Sequence, residues 1–229
     1  MAKAGSREGA TSVEHQHQPE GASARAKDAK GRSGMVVPRV FSTEGVSPFD
    51  EVEWDFRSAA IKDEKGRAIF EQVDCEIPRA WSQLATNVVV SKYFYGDLSG
   101  GNGSPAEGKR EYSVRQLVDR VTRTIADWGR EDGYFAGDDD AARFYDELSA
   151  LCLNQYGSFN SPVWFNVGLF HSYGIAGPAN NWRWDEETRT VIPAANAYET
   201  PQSSACFIQS VADDMDGIMR LAHSEAMLF

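Results

Sequence analysis

The chain has 229 residues, which suits one or two domains. Its net charge of −11 argues against a non-specific nucleic-acid binder, because such a protein presents a basic face. Hydrophobic residues make up 41%, enough for a packed core, yet no apolar run approaches a membrane span and no apolar secretory signal begins the chain. The chain has three cysteines, an odd number without CxxC spacing: Cys75, Cys152 and Cys206. They predict neither a disulfide scaffold nor a zinc site. We therefore expect a reducing, cytoplasmic location.

Residues 1–34 differ from the rest of the chain in composition. Apart from Met1 and Val13, their apolar side chains are all alanines. Such a segment cannot bury enough surface to offset the entropy lost on ordering, so we predict a disordered tail. The tail contains a His15-x-His17 pair; that spacing can bind metal, but in a disordered tail we expect no metal site.

From Met35 the composition is that of a folded domain. Residues 67–73 have the content of a strand. The stretch Asn87–Tyr95 is β-branched and aromatic, which favours a second strand, although short apolar runs are ambiguous between strand and helix. Residues 97–111 are rich in Gly, Ser, Asn and charge, which predicts a loop.

Two helices are predicted next. Ser113 and Gln116 fit a capping box at the start of the first, and Gly129 suits its end. The second starts near Asp138, where acidic residues favour a helix N-terminus, and ends at Gly157. The first helix has one apolar face, formed by Val114, Leu117, Val118, Val121, Ile125 and Trp128.

The last third of the chain is predicted to mix loops with short elements. Residues 159–166 are expected to be extended, since Pro162 disfavours helix in the residue before it. We predict a hairpin over 182–192 within a long loop, and a buried strand over 205–211. Asp213 is expected to cap a final helix with a core-facing side of Met215, Ile218, Met219, Ala222 and Ala226.

Two segments carry a family resemblance. The first is Phe159–Gly168 (FNSPVWFNVG), and the second is Pro201–Val211 (PQSSACFIQSV). An acidic, Ile/Met-rich stretch at 213–218 follows the second segment. In this order they resemble the start of the catalytic barrel of ribonucleotide reductases. The form NSPVWFN, the stretch Thr86–Phe94 and the long insertion at 169–200 are similar to the adenosylcobalamin-dependent class II. The resemblance covers roughly residues 36–229.

The resemblance implies an α/β fold. A mainly helical N-terminal reductase domain would occupy residues 35–157. Residues 158–229 would begin a ten-stranded α/β barrel that is incomplete here, with a loop and hairpin insertion at 169–200. The main catalytic residues of the family are expected beyond Phe229, so we expect no activity from this chain alone.

The resemblance also assigns three site residues. Cys206 would be one member of the redox-active pair of thiols that reduces the substrate. Ser161 would contact the substrate nucleotide, and Ala205 would line the same pocket with Cys206. On residue chemistry alone, Cys206 also fits a buried structural thiol and Ser161 a turn-stabilising hydroxyl. Cys75 and Cys152 match no family cysteine, and no metal ligand is assigned.

The implied function is reduction of ribonucleotides, diphosphates by preference, to deoxyribonucleotides for DNA synthesis by a thiyl-radical mechanism. The expected cofactor is adenosylcobalamin, bound mainly outside this chain. Expected partners are the ribonucleotide, a thioredoxin-like reductant, the C-terminal remainder of the reductase and a second copy in a homodimer. Three alternatives stay open: a reductase of another class, a non-catalytic interaction domain, and a plain helical scaffold with Cys206 in its core.

Overall fold

The computed structural model describes residues 26–27, 33–179 and 181–228. The predicted tail lies mostly outside these residues, and its two histidines lie wholly outside them. In chain order the elements are β1 (Ala26–Lys27), β2 (Ser33–Gly34), β3 (Trp54–Lys62), β4 (Ala68–Pro78), α1 (Gln83–Lys92), α2 (Val114–Glu131), α3 (Asp138–Leu153), α4 (Ser161–Asn166), α5 (Leu169–Tyr173), β5 (Trp182–Asp185), β6 (Thr190–Pro193) and α6 (Met215–Leu228).

The described residues form a mixed α/β structure of helices and three two-stranded antiparallel sheets, β1–β2, β3–β4 and β5–β6. β4 covers residues 68–73 of the strand predicted at 67–73 and continues beyond it. β5–β6 is the hairpin predicted within the long loop. The predicted loop 97–111 is confirmed, with single 3₁₀ turns at Leu98–Gly100 and Pro105–Glu107. The N-terminal region is thus helical with one long hairpin packed on it.

The hydrophobic core lies between one face of the β3–β4 hairpin and the helices α1 to α4. Residues Trp164 and Val167, which follow α3 in sequence, are buried in this same core. Its other buried members include Ala59, Cys75, Ile77, Val89, Val90, Val114, Leu117, Val118, Val121, Cys152 and Leu153.

Helix α2 begins as predicted but ends later. The capping box of Ser113 and Gln116 is present, because each side chain bonds to the main chain of the other's turn. Gly129 does not stop the helix, which continues to Glu131. A Cβ at Gly129 would lie 2.7 Å from the Phe135 ring, so this glycine makes room for an aromatic side chain. Helix α3 starts at Asp138 as predicted and ends at Leu153.

Two segments predicted to be extended are helical. The strand predicted at 87–95 is wrong because residues 83–92 form α1, which Ser82 caps by accepting a hydrogen bond from the N–H of Ala85. Burial of one face of α1 overrides the strand preference of its valines. The extended segment predicted at 159–166 is also wrong, since α4 begins at Ser161; Pro162 lies in its first turn, where no N–H is needed.

The buried strand predicted at 205–211 is not observed. Residues 202–211 form no regular element and are exposed. The described residues provide no neighbouring strand for this segment, and a strand needs a partner for its N–H and C=O groups. The predicted final helix is present, but Asp214 rather than Asp213 receives the hydrogen bond from Gly217 N–H, at 2.7 Å. Its apolar side is exposed within the described structure, and not part of the core.

Candidate functional site around helix α4

Ser161 is the first residue of α4 and is half-buried. Its Oγ lies 3.1 Å from the hydroxyl of Tyr93, which follows α1. The Tyr93 ring packs against Phe165 in a tilted arrangement with centroids 5.3 Å apart, so both its hydroxyl and its ring have a partner. The predicted nucleotide-contacting hydroxyl is therefore held by a second hydroxyl that sequence reasoning missed.

Arg120, a buried residue of α2, binds the end of α4. It is 1% exposed, and its guanidinium donates to the carbonyls of Trp164 at 2.9 Å and Val167 at 2.7 Å. These are the carbonyls at the end of α4, which have no partner within the helix. A basic residue three positions after Leu117, on the apolar side of a predicted helix, was the available sequence signal for this role.

Glu111 balances the charge of Arg120. Its carboxylate is fully buried, lies 2.7 Å from the Arg120 Nε, and accepts hydrogen bonds from the Tyr95 N–H and the Tyr173 hydroxyl, both at 2.8 Å. Burial and the negative charge of Glu111 raise the pKa of the Tyr173 phenol, so Tyr173 stays a protonated donor. The network joins α2, α4, α5 and the segment that follows α1 at one buried point.

The turn after α4 requires a glycine. Gly168 has φ +86°, and a Cβ there would lie 2.4 Å from the carbonyl oxygen of Arg120. The backbone of the motif FNSPVWFNVG thus lies directly against α2. The motif ends in glycine because a side chain at this position would clash with α2.

The two sequence motifs meet in space. The side-chain amide of Asn160 donates to the carbonyl of Ser203 at 3.1 Å, and that of Asn166 donates to the carbonyl of Gln202 at 3.3 Å. Both asparagines thus brace a loop. The loop they brace is the second motif, so residues 36 to 43 positions apart in sequence become neighbours.

Cys206 lies three residues beyond Ser203 and is exposed, as is Ala205. Cys206, Phe207 and Ile208 form one side of an open groove whose other side is the end of α6, with His223 and Met227. The structure therefore does not bury Cys206 in the core. It brings the loop of Cys206 to α4, while showing no direct contact between Cys206 and Ser161.

The other two cysteines are unsuited to redox work. Cys75 and Cys152 are buried. Burial raises the pKa of the Cys75 thiol to about 11 and that of Cys152 to about 12. Since the thiolate is the reactive form, both stay inert at neutral pH. Of the chain's three cysteines, all within the described residues, Cys206 is the accessible one.

Among residues 26–27, 33–179 and 181–228, no group of three or more His, Cys, Asp or Glu side chains could hold a metal ion. A cavity of about 380 Å³ between α1, α2 and α4 is largely apolar, with Trp81, Val89, Tyr93 and Trp164 in its wall. None of the described helices has the length and apolarity to cross a membrane.

Comparison with known proteins gives a consistent family. Residues 55–155 match the family model described as class II vitamin B12-dependent ribonucleotide reductase. The chain is 58% identical over 199 residues to the vitamin B12-dependent ribonucleotide reductase of Rhodopirellula baltica, covering 86% of this chain and 19% of that protein. It is 38% identical over 208 residues to the Streptomyces coelicolor protein of the same name, covering 90% of this chain and 18% of that protein.

The chain therefore spans about a fifth of the length of these curated relatives. The resemblance to the N-terminal portion of class II, vitamin B12-dependent ribonucleotide reductases, which the two motifs indicated, is confirmed.

Proposed function

We propose that this chain forms one wall of the active site in a class II ribonucleotide reductase, the enzyme that converts ribonucleotides to deoxyribonucleotides. The observation that carries the proposal is the meeting of the two motifs. Ser161, on a rigidly anchored helix, and Cys206, the accessible thiol, lie on segments that two asparagine amides join. Residues 35–157 would be the N-terminal domain, and residues 158–229 the start of the ten-stranded barrel.

In this proposal each site residue has a chemical task. Ser161 offers a hydroxyl to a phosphate or ribose oxygen of the substrate. Cys206 and a second cysteine outside the chain give up two electrons and two protons as they form a disulfide, while the ribose loses its 2′-hydroxyl as water. Ala205 lines the pocket beside Cys206. A thioredoxin-like dithiol then reduces the disulfide by exchange.

Adenosylcobalamin would start the radical chemistry of the whole enzyme. The apolar cavity beside α4, of about 380 Å³, is small for a corrin with its nucleotide tail. We therefore assign the binding of the cofactor mainly to regions outside the chain. The proposal also includes ribonucleoside diphosphates as the substrate, a homodimer and a cytoplasmic location.

The test is Cys206→Ser in a complete reductase that carries this N-terminal sequence. The variant should fold normally, since the side chain is exposed and the change in size is small. It should lose multiple turnover with thioredoxin as the reductant. Cys152→Ala is the control, because it removes a thiol that is buried away from the groove and places no polar group in the core. Undiminished steady-state turnover of Cys206→Ser would refute the assignment and favour a non-catalytic interaction domain.

A further inference from the structure

The two asparagines that join the motifs sit at opposite ends of α4. Asn160 is the residue before the helix and Asn166 is its last residue. Their amides donate to the carbonyls of two consecutive residues, Ser203 and Gln202. The loop is thus held at two adjacent points by one short helix, which restrains its direction as well as its position.

Little else holds this loop. In the part of the chain that the structure describes, the main chain of residues 202–211 forms no hydrogen bond to another main-chain group. Its side chains are exposed. By contrast, α4 is fixed to the buried Arg120–Glu111 pair through the carbonyls of Trp164 and Val167. The two asparagines therefore attach an otherwise weakly held segment to a helix that is fixed to the core.

We propose that Asn160 and Asn166 are positioning residues that fix where the Cys206 thiol lies relative to Ser161. Cys206 follows Ser203 by three positions, so even a fully extended chain keeps its Cα within about 11 Å of the Cα of Ser203. The inference rests on the proposed function for its catalytic meaning, while the clamp itself is a property of this chain.

The chemistry of Asn160 permits a selective test. Its Oδ1 caps α4 by accepting from the Val163 N–H at 3.2 Å, while its Nδ2 donates to Ser203. Asn160→Asp keeps the capping acceptor and removes the donor to the loop. Asn166→Asp removes the second donor, and Asn166→Gln retains an amide. Asn154→Asp is the matched control, because Asn154 donates to the carbonyl of Ala150 within α3.

The first measurement is made on residues 1–229. A nitroxide on Cys206 and a second on Arg130→Cys, an exposed position on α2, report the distance between loop and core by pulsed electron paramagnetic resonance. Buried Cys75 and Cys152 should not be labelled. The distance distribution should be narrow in the parent, about twice as wide in Asn160→Asp/Asn166→Asp, and unchanged in Asn154→Asp. Asn166→Asp alone should also broaden the distribution, whereas Asn166→Gln, which retains an amide, should keep the width of the parent. An unchanged width in the double variant would overturn the clamp.

The second measurement separates positioning from mere bracing. In a complete reductase with this N-terminal sequence, the double variant should lower kcat by roughly tenfold to a hundredfold, because misplacement by about 1 Å costs up to that much. KM should change little. A wider distance distribution with unchanged kcat would overturn the positioning role. Neither result depends on Cys206→Ser, whose turnover tests the proposed function separately.

Discussion

Arg120 and Glu111 form an ion pair of 2.7 Å in which neither side chain is more than 1% exposed. The pair exchanges hydrogen bonds with three other segments of the chain, which are residues 93–95, the end of α4 and Tyr173 of α5. A buried ion pair contributes little over apolar packing, but removal of one partner leaves an uncompensated charge. The pair therefore holds the end of α4 against the core through the carbonyls of Trp164 and Val167.

Arg120→Met should destabilise the chain by about 3–5 kcal/mol, because Glu111 would remain buried without its partner. Urea denaturation measures the change. Arg130→Met is the control, since Arg130 pairs with Asp127 at the surface and should cost less than about 1 kcal/mol. Adding Glu111→Gln to Arg120→Met should recover part of the loss. Equal stability of Arg120→Met and the parent would contradict the role given to this pair.

Ser161→Ala should weaken nucleotide binding by about tenfold or less in a complete reductase, because one neutral hydrogen bond contributes about 0.5–1.5 kcal/mol. Tyr93→Phe should have a smaller effect, since it removes the partner hydroxyl and keeps the ring. Ser172→Ala, at an exposed position on α5, is the control. Equilibrium binding of the ribonucleotide gives the comparison. Identical affinities for Ser161→Ala and Ser172→Ala would exclude the substrate contact.

Glu147 should make the stability of the fold depend on acid pH. Burial opposes ionisation, but hydrogen bonds from Ser42 and from the N–H groups of Val40 and Phe41 lower its pKa below the ordinary 4.5. A lowered pKa contributes stability above about pH 4.5, and that stability is lost as the pH falls through the folded-state value.

Glu147→Gln should therefore cost about 2 kcal/mol at pH 7, as expected for hydrogen bonds to a charged group. Its stability should also fall less steeply than the parent's between pH 5 and pH 3. Thermal melting across this pH range shows both effects. Glu187→Gln, on the exposed β5–β6 turn, should behave like the parent. Parallel pH profiles for parent and Glu147→Gln would refute the prediction.

Residues 1–229 alone should produce no deoxyribonucleotide. The reaction needs two thiols that can form a disulfide, and of the three cysteines two are buried with raised pKa values. Incubation with adenosylcobalamin, a ribonucleotide and a dithiol, followed by chromatography of the products, is the test. Product above the level of a Cys206→Ser control would contradict this prediction and mean that the chain carries out the redox chemistry by itself.

Local chemistry was enough to predict part of the fold. The capping box of Ser113 and Gln116, the start of α3 at Asp138, and the β5–β6 hairpin follow from residues adjacent in sequence, so the sequence alone determined them. The two motifs likewise indicated the family, because a motif is a linear pattern.

Tertiary packing decided the rest. The valines of α1 favour a strand locally, and α1 is a helix because one of its faces is buried against the core. Residues 205–211 have strand-like composition but lack a described neighbour with which to pair. The Arg120–Glu111 pair and the two asparagine clamps join residues far apart in sequence. Such contacts depend on the relative placement of whole elements, which no local pattern contains.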